Sequence, residues 1–436
     1  MGEPKLEPAG EPAQMPENSG SARPRVLVLG GGFAGVGATQ KLKGAAVDVV
    51  LVDKHDYHTF QPLLYQLATG LLEQTGVGHS LRDLVKKQDN ARIHQATVTA
   101  IDLDAREVQF AEMEPLGYDH LILGLGAEVN FFGVAGAPEH AFPLYTLADA
   151  IRLKDHVLAR WEEADRQPDV VDDGALTIVV VGGGPTGVES AGALAELYRG
   201  VFTKDYPDLP QEKARIVLVE AGPKLFPMFK DDIREYTEKA LQKRTVEVMV
   251  GEVVESISPT RVKLKSGTVI EAHTLVWGAG LQGNRLVQSL GLELERGNRI
   301  GVGPDLRVDG HPELFAVGDV AAITDAKTEQ VLPQLGSVAL QSGEHAGKTL
   351  ARIVAGKEPE PFKYRDKGTM ATIGRGAAVV QMLGGRTMKG KAAQLAWGTV
   401  HLALLPTNED RAKAVVNWSG AALTHQRAGR ITVGAD

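Results

Sequence analysis

Arg25-Val26-Leu27-Val28-Leu29-Gly30-Gly31-Gly32-Phe33-Ala34-Gly35 decides the fold. Its apolar opening predicts a buried parallel strand. The strand runs into the glycines and then into a helix-like segment from Val36 to Leu42. A second apolar run, Val47 to Val52, ends on Asp53, twenty-three positions after Gly30. Strand, glycine turn, helix, strand and acid in that order form a dinucleotide fingerprint. Gly30 makes the tight turn, Gly32 lets backbone approach a pyrophosphate, and Gly35 lets helix and strand pack closely. The helix N-terminus supplies unpaired N–H groups and a partial positive charge. Asp53 can accept hydrogen bonds from the adenosine ribose.

The pattern recurs downstream. Leu176 to Val181 reads as a strand, Gly182-Gly183-Gly184-Pro185-Thr186-Gly187 as a glycine turn, Val188 to Tyr198 as a helix, and Arg215 to Val219 as a strand ending on Glu220. Here glycine and acid are 38 positions apart, against a usual spacing of about 20; the extra length is the polar stretch Arg199 to Lys213. A carboxylate at this strand end favours a free ribose 2′-hydroxyl, hence NAD over NADP. Two fingerprints in one chain predict an α/β fold with two Rossmann-like dinucleotide-binding domains. One site can hold a nucleotide tightly while the other exchanges it. The bland alternative is a duplicated fold with one dead site.

Bulk properties bound the rest. A chain of 436 residues exceeds one ordinary hydrophobic core. A net charge of −8 argues against a nucleic-acid binder. The sequence contains no cysteine, which excludes disulfides, thiolate metal sites and a redox-active dithiol. No metal site is expected: His55 and His58 follow Asp53 at a suggestive spacing but read as loop residues near the adenine or on the surface. Residues 1–23, rich in Glu, Pro, Ala and Ser, are expected to form a disordered tail. No run reaches the roughly 18 apolar residues of a spanning helix.

Residues 386–430 carry seven basic residues (Arg386, Lys389, Lys391, Arg411, Lys413, Arg427, Arg430) against Glu409 and Asp410, a local net of +5 in an acidic chain. Leu395, Trp397, Val400, Leu402, Leu404 and Leu405 precede Pro406; Ala412, Val415, Val416, Trp418, Ala422 and Leu423 follow it at near-helical spacing. Cations and tryptophans beside apolar faces suit helices lying in a bilayer interface. An amphipathic pair packed on the core, or across a homodimer interface, has the same pattern.

Several stretches resemble a known group. Phe60-Gln61-Pro62-Leu63-Leu64-Tyr65-Gln66-Leu67-Ala68-Thr69-Gly70, the run Gly182 to Glu189, Leu314-Phe315-Ala316-Val317-Gly318-Asp319 and Tyr364 to Arg375 carry the likeness, with weaker marks at Leu121 to Ala127 and Leu275 to Gly280. Together they resemble the two-dinucleotide flavoproteins and, within them, the type II NADH dehydrogenases, single-subunit NADH:quinone oxidoreductases. The resemblance spans about Arg25 to Ile431.

It implies FAD held non-covalently by Gly30, Gly32, Phe33, Ala34, Gly35, Asp53, Lys54, Pro62, Leu63, Gly126, Gly318 and Asp319, in a discontinuous domain of residues 24–145 and 300–350. It implies NADH as co-substrate at Gly182, Gly184, Thr186, Gly187, Glu220 and Gly280, in a domain of residues 146–299. Residues 351–436 become a membrane-docking or interface segment on the cytoplasmic side of the membrane, with quinone as electron acceptor and Lys389 and Lys391 at the site mouth. Glu189, early in the second glycine-turn helix, would face the flavin; its alternative role is to complement that helix N-terminus. Relatives carry an Ala-Gln-x-Ala-x-Gln-Gln-Gly helix at the quinone site. Here the aligned residues are Gly336 to Gly343, where Gln341 remains but Ser337 and Ser342 stand at the other two glutamine positions. Two rival readings remain at this point: a soluble NADH:acceptor reductase, and a slow FAD- and NADH-binding redox sensor.

Overall fold

In the computed structural model the described residues are 23–424, 427 and 429–431. The tail expected at 1–23 thus lies outside them except for Arg23.

The opening strand, Arg25–Leu29, sits inside a six-stranded sheet. In spatial order the strands are Arg307–Val308, His311–Ala316, His120–Leu123, Arg25–Leu29, Asp48–Asp53 and Ala91–Gln95. All neighbours are parallel except the first pair. Val26, Leu27 and Val28 are fully buried, as expected for a strand covered on both faces. Helix α1 (Phe33–Lys41) follows the glycine turn, and α2 (Leu64–Ala68) lies in the Phe60–Gly70 segment.

The second sheet is wholly parallel: Phe142–Pro143, Thr274–Trp277, Ile178–Val181, Ile216–Glu220 and Val246–Val250. Helix α3 (Leu147–Arg166) covers one face, and α4 (Pro185–Leu197) starts at the second glycine turn. An antiparallel pair, Ala127–Val129 with Leu281–Gly283, carries the chain out of the first sheet and back.

Core membership displaces both expected boundaries. Phe142–Pro143 already belongs to the second sheet. Val287 and Ile300 pack in the first core, and Ile300 pairs with Ala321. The second body therefore spans about residues 142 to 280 rather than 146–299, because the apolar residues of 285–301 bury themselves against the first sheet.

Helix α5 (Gly336–Val354) lies against α1 so closely that a Cβ at Gly343 would overlap the Ala34 carbonyl. Beyond it, Thr369–Gly374, Ala377–Gln381 and Thr387–Lys389 form an antiparallel sheet. This sheet presses on α4, where a Cβ at Gly192 would overlap the Ile373 carbonyl. Helices α6 (Lys391–Leu404) and α7 (Asn408–Thr424) follow. Ala371, Ile373, Val379, Trp397, Leu405 and Ala414 share one core with Val188 and Leu194 of α4. Within the segment expected at 351–436, Phe362 and Tyr364 pack on the first core, and from Ala371 onward its buried residues share the core of the second body.

Both tryptophans expected at a bilayer interface turn inward, their ring centroids 5.6 Å apart. Part of the basic excess is neutralised within the protein. Lys389 pairs with Asp232, Lys413 with Glu409 and Arg430 with Asp205, while Arg427 is buried. The exposed residues of α6 and α7 include the large apolar Leu395, Val400, Leu404, Val415 and Val416 beside the polar Lys391, Thr399, Glu409 and Lys413. The side chains of Ala422 and Leu423 lie outside the described set. No helix among the described residues is long and apolar enough to cross a membrane.

Candidate active site: two glycine turns and an apolar cavity

The two turns are built alike. Gly30 and Gly182 have φ of 105° and 110°, a region that only glycine enters freely. A Cβ at Gly35 would overlap the Gly30 carbonyl oxygen, and one at Gly187 would overlap that of Gly182. Each third glycine therefore permits close helix–strand contact. Gly32 and Gly184 differ. Both have extended backbone, φ −75° and −79°, and a Cβ at either would meet no atom within 4 Å. Nothing in the protein demands glycine there, so the open space over each helix N-terminus fits a pyrophosphate.

The strand-end acids hold the turns. Asp53 accepts the Gly31 N–H at 2.6 Å and the His55 N–H at 2.8 Å. Glu220 accepts the Gly183 N–H and, at 2.6 Å, the Gly222 N–H. The longer spacing before Glu220 therefore leaves unchanged the contact it makes with its glycine turn. His58 is not a surface residue: it is buried beneath the first turn, a ring nitrogen 3.0 Å from the Gly31 carbonyl, and burial lowers its pKa to about 4. His55 stacks on Tyr57. No metal-ligand cluster occurs among the described residues.

Most expected first-site residues converge on this turn. Phe33 packs edge-on against His58 and Phe60, and Ala34 lies under Gly318. Asp319 is half-buried and takes a hydrogen bond from the Tyr145 hydroxyl at 3.3 Å; loss of solvent raises its carboxyl above the ordinary range. Gly126 lies beside the same hydroxyl. Lys54 is exposed, and Pro62 is half-buried. Leu63 has no accessible surface and packs in the core. At the second turn, Thr186 and Gly280 line a cavity of about 300 Å³ together with Tyr145 and Gln334, both hydrogen-bonded to Asp319, which places the second turn beside that acid.

A larger cavity, about 920 Å³, opens between α2, α4, the C-terminal sheet and helices α6 and α7. Glu189 lines it, together with Tyr65, Gln66, Thr372, Trp397 and Trp418. Glu189 Oε1 accepts the Thr372 N–H at 3.1 Å, and burial pushes its carboxyl up to about 8. Burial thus favours its neutral form, which does less for a helix dipole than a carboxylate would. Lys391 lines the cavity, whereas Lys389 is engaged with Asp232.

Gln341 is not among the residues lining this cavity. Its amide brackets Arg365, donating to the carbonyl at 3.1 Å and accepting the N–H at 3.0 Å. Ser337 bonds the Tyr364 hydroxyl, and the Ser342 hydroxyl accepts the Gly318 N–H at 3.0 Å. These positions brace the Asp319 turn and the strand leading to the C-terminal sheet. Sequence reasoning missed the partners of Glu189, notably Thr372, Tyr65 and Gln66. All three stood in quoted stretches, but no local pattern says which side chains face one space.

Residues 24–343 match the family model described as pyridine nucleotide-disulphide oxidoreductase. The chain is 35% identical to the type II NADH:quinone oxidoreductase Ndh of Mycobacterium tuberculosis, an alignment covering 97% of this chain and 93% of that one. It is 32% identical to the type II NADH:quinone oxidoreductase of Staphylococcus aureus, covering 85% and 92%. This chain belongs to the type II NADH:quinone oxidoreductase family. The fold agrees with that of NDH2 from Plasmodium falciparum in complex with NADH, at a TM-score of 0.86 and 19% identity over 94% of this chain and all of that one. The protein is thus an oxidoreductase of a flavin- and nucleotide-binding family. Without cysteine it cannot use the disulfide chemistry in the wider family's description.

Proposed function

We propose that the protein oxidises NADH through a non-covalently bound FAD and passes two electrons to a membrane quinone, without proton pumping. The carrying observation is the 920 Å³ cavity, which joins buried Glu189 to helices α6 and α7 with their exposed apolar side chains. A long-tailed apolar acceptor fits such a cavity, and a soluble electron-carrier protein has no need of one. Bound FAD supplies a two-electron carrier between nicotinamide and acceptor.

The chain's own residues do the rest. The Gly30–Gly35 turn, Asp53 and Asp319 hold the flavin nucleotide; the Gly182–Gly187 turn and Gly280 hold NADH. Glu220 excludes a 2′-phosphate by like charge, favouring NADH over NADPH. Glu189 keeps Oε1 on the Thr372 N–H and so carries its proton on Oε2, facing the cavity. Attachment is peripheral, on the cytoplasmic side, through the apolar surface of α6 and α7. Anaerobic NADH should bleach the flavin, and addition of quinones should restore its colour. A folded protein that takes up no flavin, or a bleached one that no quinone reoxidises, overturns the reading.

A further inference from the structure

Trp418 of α7 reaches across to α2, its indole Nε1 lying 2.7 Å from Gln66 Oε1. Gln66 Nε2 lies 2.7 Å from the Tyr65 hydroxyl oxygen. An indole N–H only donates, so the oxygen of the Gln66 carboxamide must face Trp418 and its nitrogen must face Tyr65. That nitrogen also only donates. The Tyr65 oxygen is therefore the acceptor, and the Tyr65 proton points away from Gln66. No acceptor for it is found among the described residues. Tyr65 and Gln66 are buried, and all three residues line the large cavity with Glu189. Burial, with Glu189 adding to it, raises the Tyr65 hydroxyl well above its ordinary range, so it stays protonated.

We propose that the Tyr65 hydroxyl donates a hydrogen bond to a carbonyl oxygen of the electron acceptor, and that Gln66 and Trp418 are positioning residues that hold it in the donating direction. The assignment rests on the quinone reading above. A donor fixed where negative charge develops on oxygen favours the transition state over the bound substrate. Tyr65 therefore acts mainly on kcat, and α7 sets the direction of a proton it does not touch.

The test uses the full-length flavin-loaded protein in vesicles with a long-tailed quinone. Tyr65→Phe removes one oxygen and should lower kcat by roughly 10- to 100-fold, with a smaller change in KM. Gln66→Glu keeps an acceptor for Trp418 but gives Tyr65 a carboxylate to donate to. It should lower kcat comparably with the tyrosine still present, and the double variant should fall no further than Tyr65→Phe alone. Independently of turnover, the carbonyl stretch of isotope-labelled bound quinone should move to higher frequency in Tyr65→Phe and in Gln66→Glu. Trp418→Phe, which removes only the far end of the relay, should give an intermediate loss. A parent that reduces no quinone sinks the functional reading. A quinone-active parent whose kcat and carbonyl frequency survive Tyr65→Phe overturns the donor assignment, and survival of both in Gln66→Glu overturns the relay.

Discussion

Gly32 and Gly184 occupy equivalent places in the two turns, with backbone angles open to any residue and no protein atom to collide with. Substituting them should therefore spare the fold and remove only what a ligand needs. Gly32→Val is expected to yield a folded chain without flavin absorbance; Gly184→Val should keep its flavin and raise the KM for NADH severalfold or more. Flavin per chain and NADH saturation curves check both, and a yellow Gly32→Val protein rules out the first site. Glu189 makes a different prediction at the same scale. Burial raises its pKa from 4.5 to about 8, so the unfolded chain ionises first. The folded state loses stability as pH climbs from 4.5 to about 8. Glu189→Gln has no such loss, so its Tm should gain on the parent's across that interval. Parent quinone turnover should also decline as pH passes about 8, and that limb should vanish in Glu189→Gln. Parallel Tm curves for the two proteins would mean the carboxyl is ionised in the folded state. The candidate acid was legible in the sequence as a carboxylate one turn into a glycine-turn helix. Its raised pKa was not, since that comes from the burial that tertiary packing imposes, against the opposing hydrogen bond from the Thr372 N–H 183 positions away.

Helices α6 and α7 were foreseen as carrying apolar faces, and in the structure those apolar residues divide between the cavity and the outside. Trp397 and Trp418 suited an interface by composition, yet they line the cavity, while Leu404 and Val416, 45% and 69% exposed, form the outer surface. Asp410 anchors the hairpin from below, 3.0 Å from His79, whose pKa burial lowers more than Asp410 raises it. The exposed residues offer a clean test of attachment. Leu404→Asp with Val416→Asp removes two apolar side chains of about 1.5–3 kcal/mol each if a membrane buries them. Vesicle partition should drop by at least about tenfold. Reduction of a water-soluble acceptor by NADH should persist, because neither residue touches a core. Unchanged sedimentation with anionic vesicles would place the attachment surface elsewhere.

At the scale of the whole molecule, the C-terminal segment cannot be detached. A chain ending at Gly384 loses Trp397, Leu405 and Ala414 from the second body's core. It also loses Arg427, which is buried and donates to the Thr69 carbonyl at 2.8 Å and the Ala193 carbonyl at 3.1 Å. Removing large apolar side chains from a core costs about 2–5 kcal/mol each, enough in sum to unfold an ordinary domain. Flavin content, ferricyanide reduction and quinone reduction should therefore disappear together. A truncated protein that stays yellow and active toward ferricyanide would show the segment to be an independent module after all. The sequence by itself determined the two glycine turns, their acids and the α/β alternation, because these depend on φ angles, backbone N–H groups and apolar runs spelled by neighbouring residues. Tertiary structure alone decided where one body ends and the next begins, which way the tryptophans face, and that Gln66 meets Trp418 across 352 positions. Those contacts depend on which surfaces the packed cores bring together, and no local pattern records it.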